Sequence, residues 1–281
     1  MGGPGWGLGG LACSASAPSF SSRQARAVAR SVPLGSAAGP SSLAPRHVAD
    51  ACAFAGSLVA DALSVFCTRV AQGKVPETWR PFFFGARSMA LEKKDGGLRP
   101  LAAGETLRRI TGKLLARHVS RDIGVWFVKR HQVAVAVAGG ADAAALALRL
   151  FASSAAHSRS APRVVVKVDM SNAFNSVSRV AVIDGAVKIT SSLAPYFACA
   201  YGLPSHLFFG RHVIVSATGV HQGDPLGPCG FSIGLNGGRT MAARELAALA
   251  STIAGRPPST ACTLPASALA SQAPPLAGRR S

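Results

Sequence analysis

Apolar residues return at helical spacing along Val48, Cys52, Leu58, Val59, Leu63, Phe66 and Val70, and Gly73 follows where a left-handed residue ends a helix. One amphipathic helix is expected there. Two strand-like pieces, Ser88 to Leu91 and Leu98 to Leu101, flank Asp95-Gly96-Gly97, a turn signal that predicts a β-hairpin between Arg87 and Ala103. Leu107, Ile110, Leu114, Leu115 and Val119 then mark one face of a second helix, with Arg108, Arg109, Lys113 and Arg117 assigned to its outer, basic side. Val133 to Val137 alternates like a strand, and Gly139-Gly140 turns into an Ala/Leu-rich helix over Asp142 to Phe151. The β-branched run Val164 to Val168 has the pattern of a buried central strand and would deliver Asp169 at its end. Ser178 is placed to cap a helix reaching about Ile189, and His212 to Ala217 reads as a short strand before Gly219. Strands interspersed with helices predict an α+β fold.

Both ends differ from this middle. Residues 1–46 are rich in Gly, Ala, Ser and Pro, carry Arg23, Arg26, Arg30 and Arg46, and precede the first acid, Asp50. They are expected to be disordered, or to act as an organellar targeting segment, although no amphipathic repeat stands out in them. Residues 246–281 repeat the Ala/Ser/Pro character, with Pro257-Pro258 and Pro274-Pro275, and are expected to form a disordered tail. The 281 residues otherwise suffice for a sizeable core. No apolar run approaches the roughly 20 residues needed to span a bilayer. The cysteines are scattered without C-x-x-C pairs, and neither they nor the histidines have metal-ligand spacing; they read as thiols in a reducing, intracellular compartment, nuclear or cytoplasmic.

Charge narrows the partners. Thirty Lys and Arg face twelve Asp and Glu, a formal charge of +18, and such a field attracts polyanions. Nucleic acid is the natural partner. A basic hairpin carrying Lys93, Lys94 and Arg99 could serve a triphosphate, with the guanidinium binding phosphate bidentately and the lysines adding point charge. The same residues could equally form a solvated basic hairpin. A carboxylate at the end of a buried strand, Asp169, suits Mg²⁺, which prefers oxygen ligands. Glycine at 223 lets a backbone approach a nucleotide closely, and Asp224-Pro225 is a good helix start, so Asp224 reads as structural.

Taken in order, Met89 to Arg109, Val168 to Val177 and Gly219-Val-His-Gln-Gly-Asp-Pro-Leu-Gly-Pro228 resemble the fingers hairpin and the first and second palm motifs of reverse transcriptases of the non-LTR retrotransposon type. The resemblance spans roughly residues 47–236, with smaller matches at Val75-Pro76, Trp79 to Arg87, Ala138 to Asp142 and Tyr201 to Ser205. It implies an incomplete right-hand polymerase fold, with fingers over 47–160 and a partial palm over 161–245. By the same resemblance Asp169 and the backbone carbonyl of Met170 would ligate magnesium, and Asp169 would be catalytic. Lys93, Lys94, Arg99, Phe174, Gln222 and Gly223 would bind the nucleotide, Phe174 lying under the sugar and excluding a ribose 2′-hydroxyl. The implied partners are an RNA template, a DNA primer and a deoxynucleoside triphosphate.

The pattern is broken in places. The family's aromatic-x-Asp-Asp motif is missing, no Asp follows Asp224, and Glu245 sits in a helix-forming run unlike a metal site. His221 stands where relatives usually carry Gln, and Cys229-Gly230 interrupts a usually aliphatic stretch. The expectation is therefore a reverse transcriptase remnant, truncated after the second palm motif and inactive as given. A non-catalytic basic RNA- or DNA-binding protein, or a decayed product that does not fold, are the alternatives.

Overall fold

In the computed structural model, residues 18–33, 35–54, 56–92, 96–156, 170 and 172–236 are described; all lie within a unit ending at Arg239. The fold is α+β, with helices predominant around one small sheet.

The chain opens with α1 (Ser22–Ser31), inside the segment expected to be disordered. Ser21 caps it through a capping box with Gln24, and Ala25, Val28 and Ala29 are buried beside Phe20 and Val32. Burial of that stripe against α3 and α5 orders a stretch whose composition alone looked disordered, and it corrects the reading for residues 22–33. Helix continues over α2 (Pro45–Phe54) and α3 (Gly56–Ala71), with Ala55 between them outside the described residues. Val48, Cys52, Leu63 and Val70 are buried as expected, but Leu58 is exposed. Gly73 adopts φ 71°, the left-handed ending foreseen.

After a short helix α4 (Arg80–Phe83), strands β1 (Ala86–Glu92) and β2 (Leu98–Gly104) pair antiparallel, turning at Gly96 with φ 78°. The long helix α5 (Thr106–Val128) follows and crosses the core through Ile110, Leu114, Leu115, Val119, Ile123 and Phe127. The strand expected at Val133 to Val137 does not form. Ala136 takes φ 57°, and Gly124 and Gly140 give the carbonyls of Ala136 and Val133 room to fold inward, so the segment is an irregular loop. Beyond it α6 (Gly140–Ala156) begins after Gly139, as the glycine pair suggested. The expected strand Val164 to Val168 and the 160/161 boundary lie outside the described residues.

The chain resumes with α7 (Ala173–Ser176), then α8 (Arg179–Ile189), whose cap is Ser178 accepting from the Ala181 N–H. Helix α9 (Ala194–Tyr201) is almost wholly buried. Strands β3 (Ser205–Phe209) and β4 (His212–Ser216) complete a sheet of order β2-β1-β3-β4, in which β1 and β3 run parallel through Ala86 opposite Leu207. Residues 227–236 form a last described helix, α10. Among the described residues no helix is long and apolar enough to cross a membrane.

Candidate functional site

The loop between β4 and α10 is where the three motif regions meet. Gly219 takes φ 67°, and a side chain there would collide with the backbone of Asn175 in α7. The N–H of Val220 donates to the carbonyl of Phe174 at 2.8 Å, and that of Gly219 to Val177 at 3.1 Å. Two residues on, the carbonyl of Gln222 accepts from the N–H of Ala102 in β2 at 3.1 Å. Gly223 has φ 124°, and a Cβ there would lie 2.5 Å from the carbonyl oxygen of Ala102, so the hairpin itself fills the space a side chain would need. Hairpin, α7 and the Gly219–Pro225 loop therefore form one backbone-bonded junction.

A buried polar network lies beneath it. Arg108, in the first turn of α5, is 1% exposed and faces the Asp224 carboxylate at 2.7 Å. Its guanidinium also donates to the carbonyl of Phe84 at 2.5 Å and to the Tyr201 hydroxyl at 3.0 Å, and lies 3.1 Å from Nδ1 of His221. Tyr201 donates in turn to Asp224 at 2.7 Å, and the other Asp224 oxygen accepts from the Leu226 N–H at 2.9 Å, in the turn that leads into α10. Arg179 braces the loop from the other side through the carbonyls of Gly219 at 2.8 Å and Thr218 at 3.3 Å and the Ser216 hydroxyl at 2.9 Å.

The electrostatics follow from this enclosure. Burial opposes the charge on Arg108, but the Asp224 carboxylate outweighs it and carries the Arg108 pKa above its ordinary value. Burial likewise opposes ionisation of Asp224, and Arg108 with the Tyr201 hydroxyl reverses it, holding the carboxyl below its usual range. Burial and the neighbouring Arg108 push His221 down to about 3, with Arg179 adding to the effect. The ring is thus neutral, accepting from Arg108 at Nδ1 and presenting Nε2–H to the hydroxyls of Ser216 at 3.2 Å and Ser205 at 3.4 Å. Burial lowers Arg179 to about 10.

Arg108 and Asp224 show what the sequence concealed. Arg108 was assigned to the outer face of α5, yet it shares the buried face with Thr111, Leu115 and Val119 at i+3, i+7 and i+11. That spacing was the available signal. Asp224 was expected at a helix cap but lies in the turn that leads into α10, two residues before the cap position is reached at Leu226, and it neutralises a cation from 116 residues away. Tyr201, Arg179 and His221 join the network without having been singled out for it.

Of the expected site residues, Lys93, Lys94 and Asp169 lie outside the described residues, as does Glu245. Arg99 stands in β2 opposite Leu91. The Met170 side chain is exposed. Phe174 is half-buried and stacks on Phe231 with ring centroids 5.0 Å apart. Gln222 is half-buried and Gly223 exposed, both beside β2.

No family model and no curated protein matches this chain. The donor set therefore stands on its own chemistry. Among the described residues no group of three His, Cys, Asp or Glu could hold a metal, and the acid nearest the junction, Asp224, is committed to Arg108 and Tyr201. The expected magnesium ligand, Asp169, lies outside the described residues.

Proposed function

We propose that this chain is a reverse-transcriptase-type domain of the non-LTR kind, one that binds a deoxynucleoside triphosphate and an RNA template with its DNA primer but does not by itself extend the primer. The observation that carries the reading is the junction of three segments far apart in sequence. Gln222 bonds to Ala102 of the hairpin, and Val220 bonds to Phe174, so three of the residues expected to face a nucleotide, Phe174, Gln222 and Gly223, lie around one loop. A backbone loop braced by a buried ion pair and bonded to a hairpin whose sequence is basic suits a polyphosphate with a flat base. The inactivity rests on carboxylate supply. Two-metal phosphoryl transfer needs several carboxylates, whereas the family-like motifs assign one, Asp169, to metal, and Asp224 is neutralised.

Equilibrium binding of a fluorescent deoxynucleoside triphosphate, beside its ribonucleotide counterpart, tests the reading. Binding that prefers the deoxy form, with the preference narrowed by Phe174→Ala, is expected. Primer extension with Mg²⁺ should yield no product, and incorporation abolished by Asp169→Ala would overturn the claim of inactivity. Salt-sensitive RNA binding without any nucleotide binding would favour the non-catalytic binding protein instead.

A further inference from the structure

Away from that junction, the outward side of α5 carries a second feature. Arg109, Lys113 and Arg117 follow one another at four-residue intervals, about 6 Å apart along the axis. Among the described residues none of the three makes an ion pair. Glu105, one turn before Arg109, accepts from the backbone N–H and hydroxyl of Ser41 at 2.7 and 2.5 Å and attracts Arg109 without pairing with it, which leaves Lys113 and Arg117 without an acid partner among the described residues. The like charges press on each other, and Lys113 is lowered by partial burial and then by Arg117 and Arg109. Such crowding is costly unless anions share the space.

Beside this row, α1 and α5 enclose a recess of about 250 Å³. Arg23 and Gln24 line it from α1, Arg117 and His118 from α5, and Val28 with Leu114 gives it an apolar floor. Lys113 and Arg117 also donate to the carbonyl and hydroxyl of Ser31 at 3.3 and 3.2 Å, fixing the end of α1 and hence the width of the recess. An apolar floor between guanidinium and imidazole planes suits an unstacked base, and cations spaced along a helix suit the phosphates on either side of it. An acidic peptide would use the charges and leave the floor without a purpose.

We infer that the α1–α5 face binds single-stranded nucleic acid, its backbone following Arg109, Lys113 and Arg117 and one base entering the recess between Arg23 and His118. That the strand is the template rests on the function proposed above; the contact itself is read separately.

The test is fluorescence anisotropy of labelled oligouridylate and oligothymidylate on the full chain over a range of salt. In the double variant Arg23→Gln/Arg117→Gln, whose helix content and melting should first be matched to the parent, affinity should fall at low salt. The log–log salt slope should flatten by about 0.7, the one phosphate contact that Arg117 supplies to a single strand. Arg23→Gln alone, an exposed change beside the base, should weaken binding with little change of slope, and the equally exposed Arg211→Gln in the β3–β4 turn should leave both as they were. An unchanged slope in the double variant, or an equal loss in Arg211→Gln, overturns the tract. So does displacement of the oligonucleotide by polyglutamate as readily as by unlabelled strand. Failure of nucleotide binding at Phe174 would overturn the proposed function and leave these outcomes readable.

Discussion

Arg108 and Asp224 are the residues on which the junction depends. Each is buried, so each is costly without the other. Replacing Arg108 by Met should destabilise the fold by about 3–5 kcal/mol, because the Asp224 carboxylate is left uncompensated, whereas pairing it with Asp224→Leu should recover much of that loss. Urea unfolding of the single and double variants measures both. His221 supplies a pH signature. Its folded pKa, about 3, lies below the ordinary histidine value, so between roughly pH 6.5 and 3 the unfolded chain takes up a proton that the folded one refuses. Stability is therefore fully present above that window and falls by about 1.4 kcal/mol for each pH unit on the way down through it. His221→Gln should remove this slope in urea titrations at stepped pH. Neither property was legible in sequence. Arg108 sits among charged neighbours in a helix that looks basic outside, and nothing local announces a partner 116 positions later.

At the scale of elements the sequence was more informative. The β1–β2 hairpin, the Ser178-capped α8 and strand β4 form where period and turn chemistry put them, because their signals are local. Two elements went the other way. Helix α1 was hidden by an Ala/Ser/Arg composition, although Ser21 and Gln24 spell a capping box and Ala25, Val28 and Val32 fall on one face. Val133 to Val137 had a strand's alternation but gains no neighbouring strand in the described sheet, and a positive φ at Ala136 ends extension. The candidate site was legible as three motifs, while their meeting depends on tertiary contacts. Gly223 is where that meeting is tightest. Gly223→Ala, with a Cβ aimed at the Ala102 carbonyl and φ at 124°, should cost roughly 1–3 kcal/mol. Hydrogen exchange should register it as faster loss of protection at the Ala102 amide.

For the whole molecule, charge and exposed apolar surface pull in opposite directions. The +18 charge repels copies of the chain from one another. Yet among the described residues β4 is an edge strand whose Val213, Ile214 and Val215 are all more than half exposed, with no charged residue or proline within the strand to guard it. Salt that screens the charge should therefore promote assembly through this edge, and Ile214→Lys should suppress it. Light scattering across a salt series reads the difference. The buried pair beneath the loop has a further consequence, in time rather than in stability. Arg108 and Asp224 must close a stretch of more than a hundred residues before either gains its partner, and such distant contacts tend to form after the folding barrier is crossed. Asp224→Ala should then speed unfolding in stopped-flow measurements while barely slowing refolding, making this ion pair a latch set last and released first.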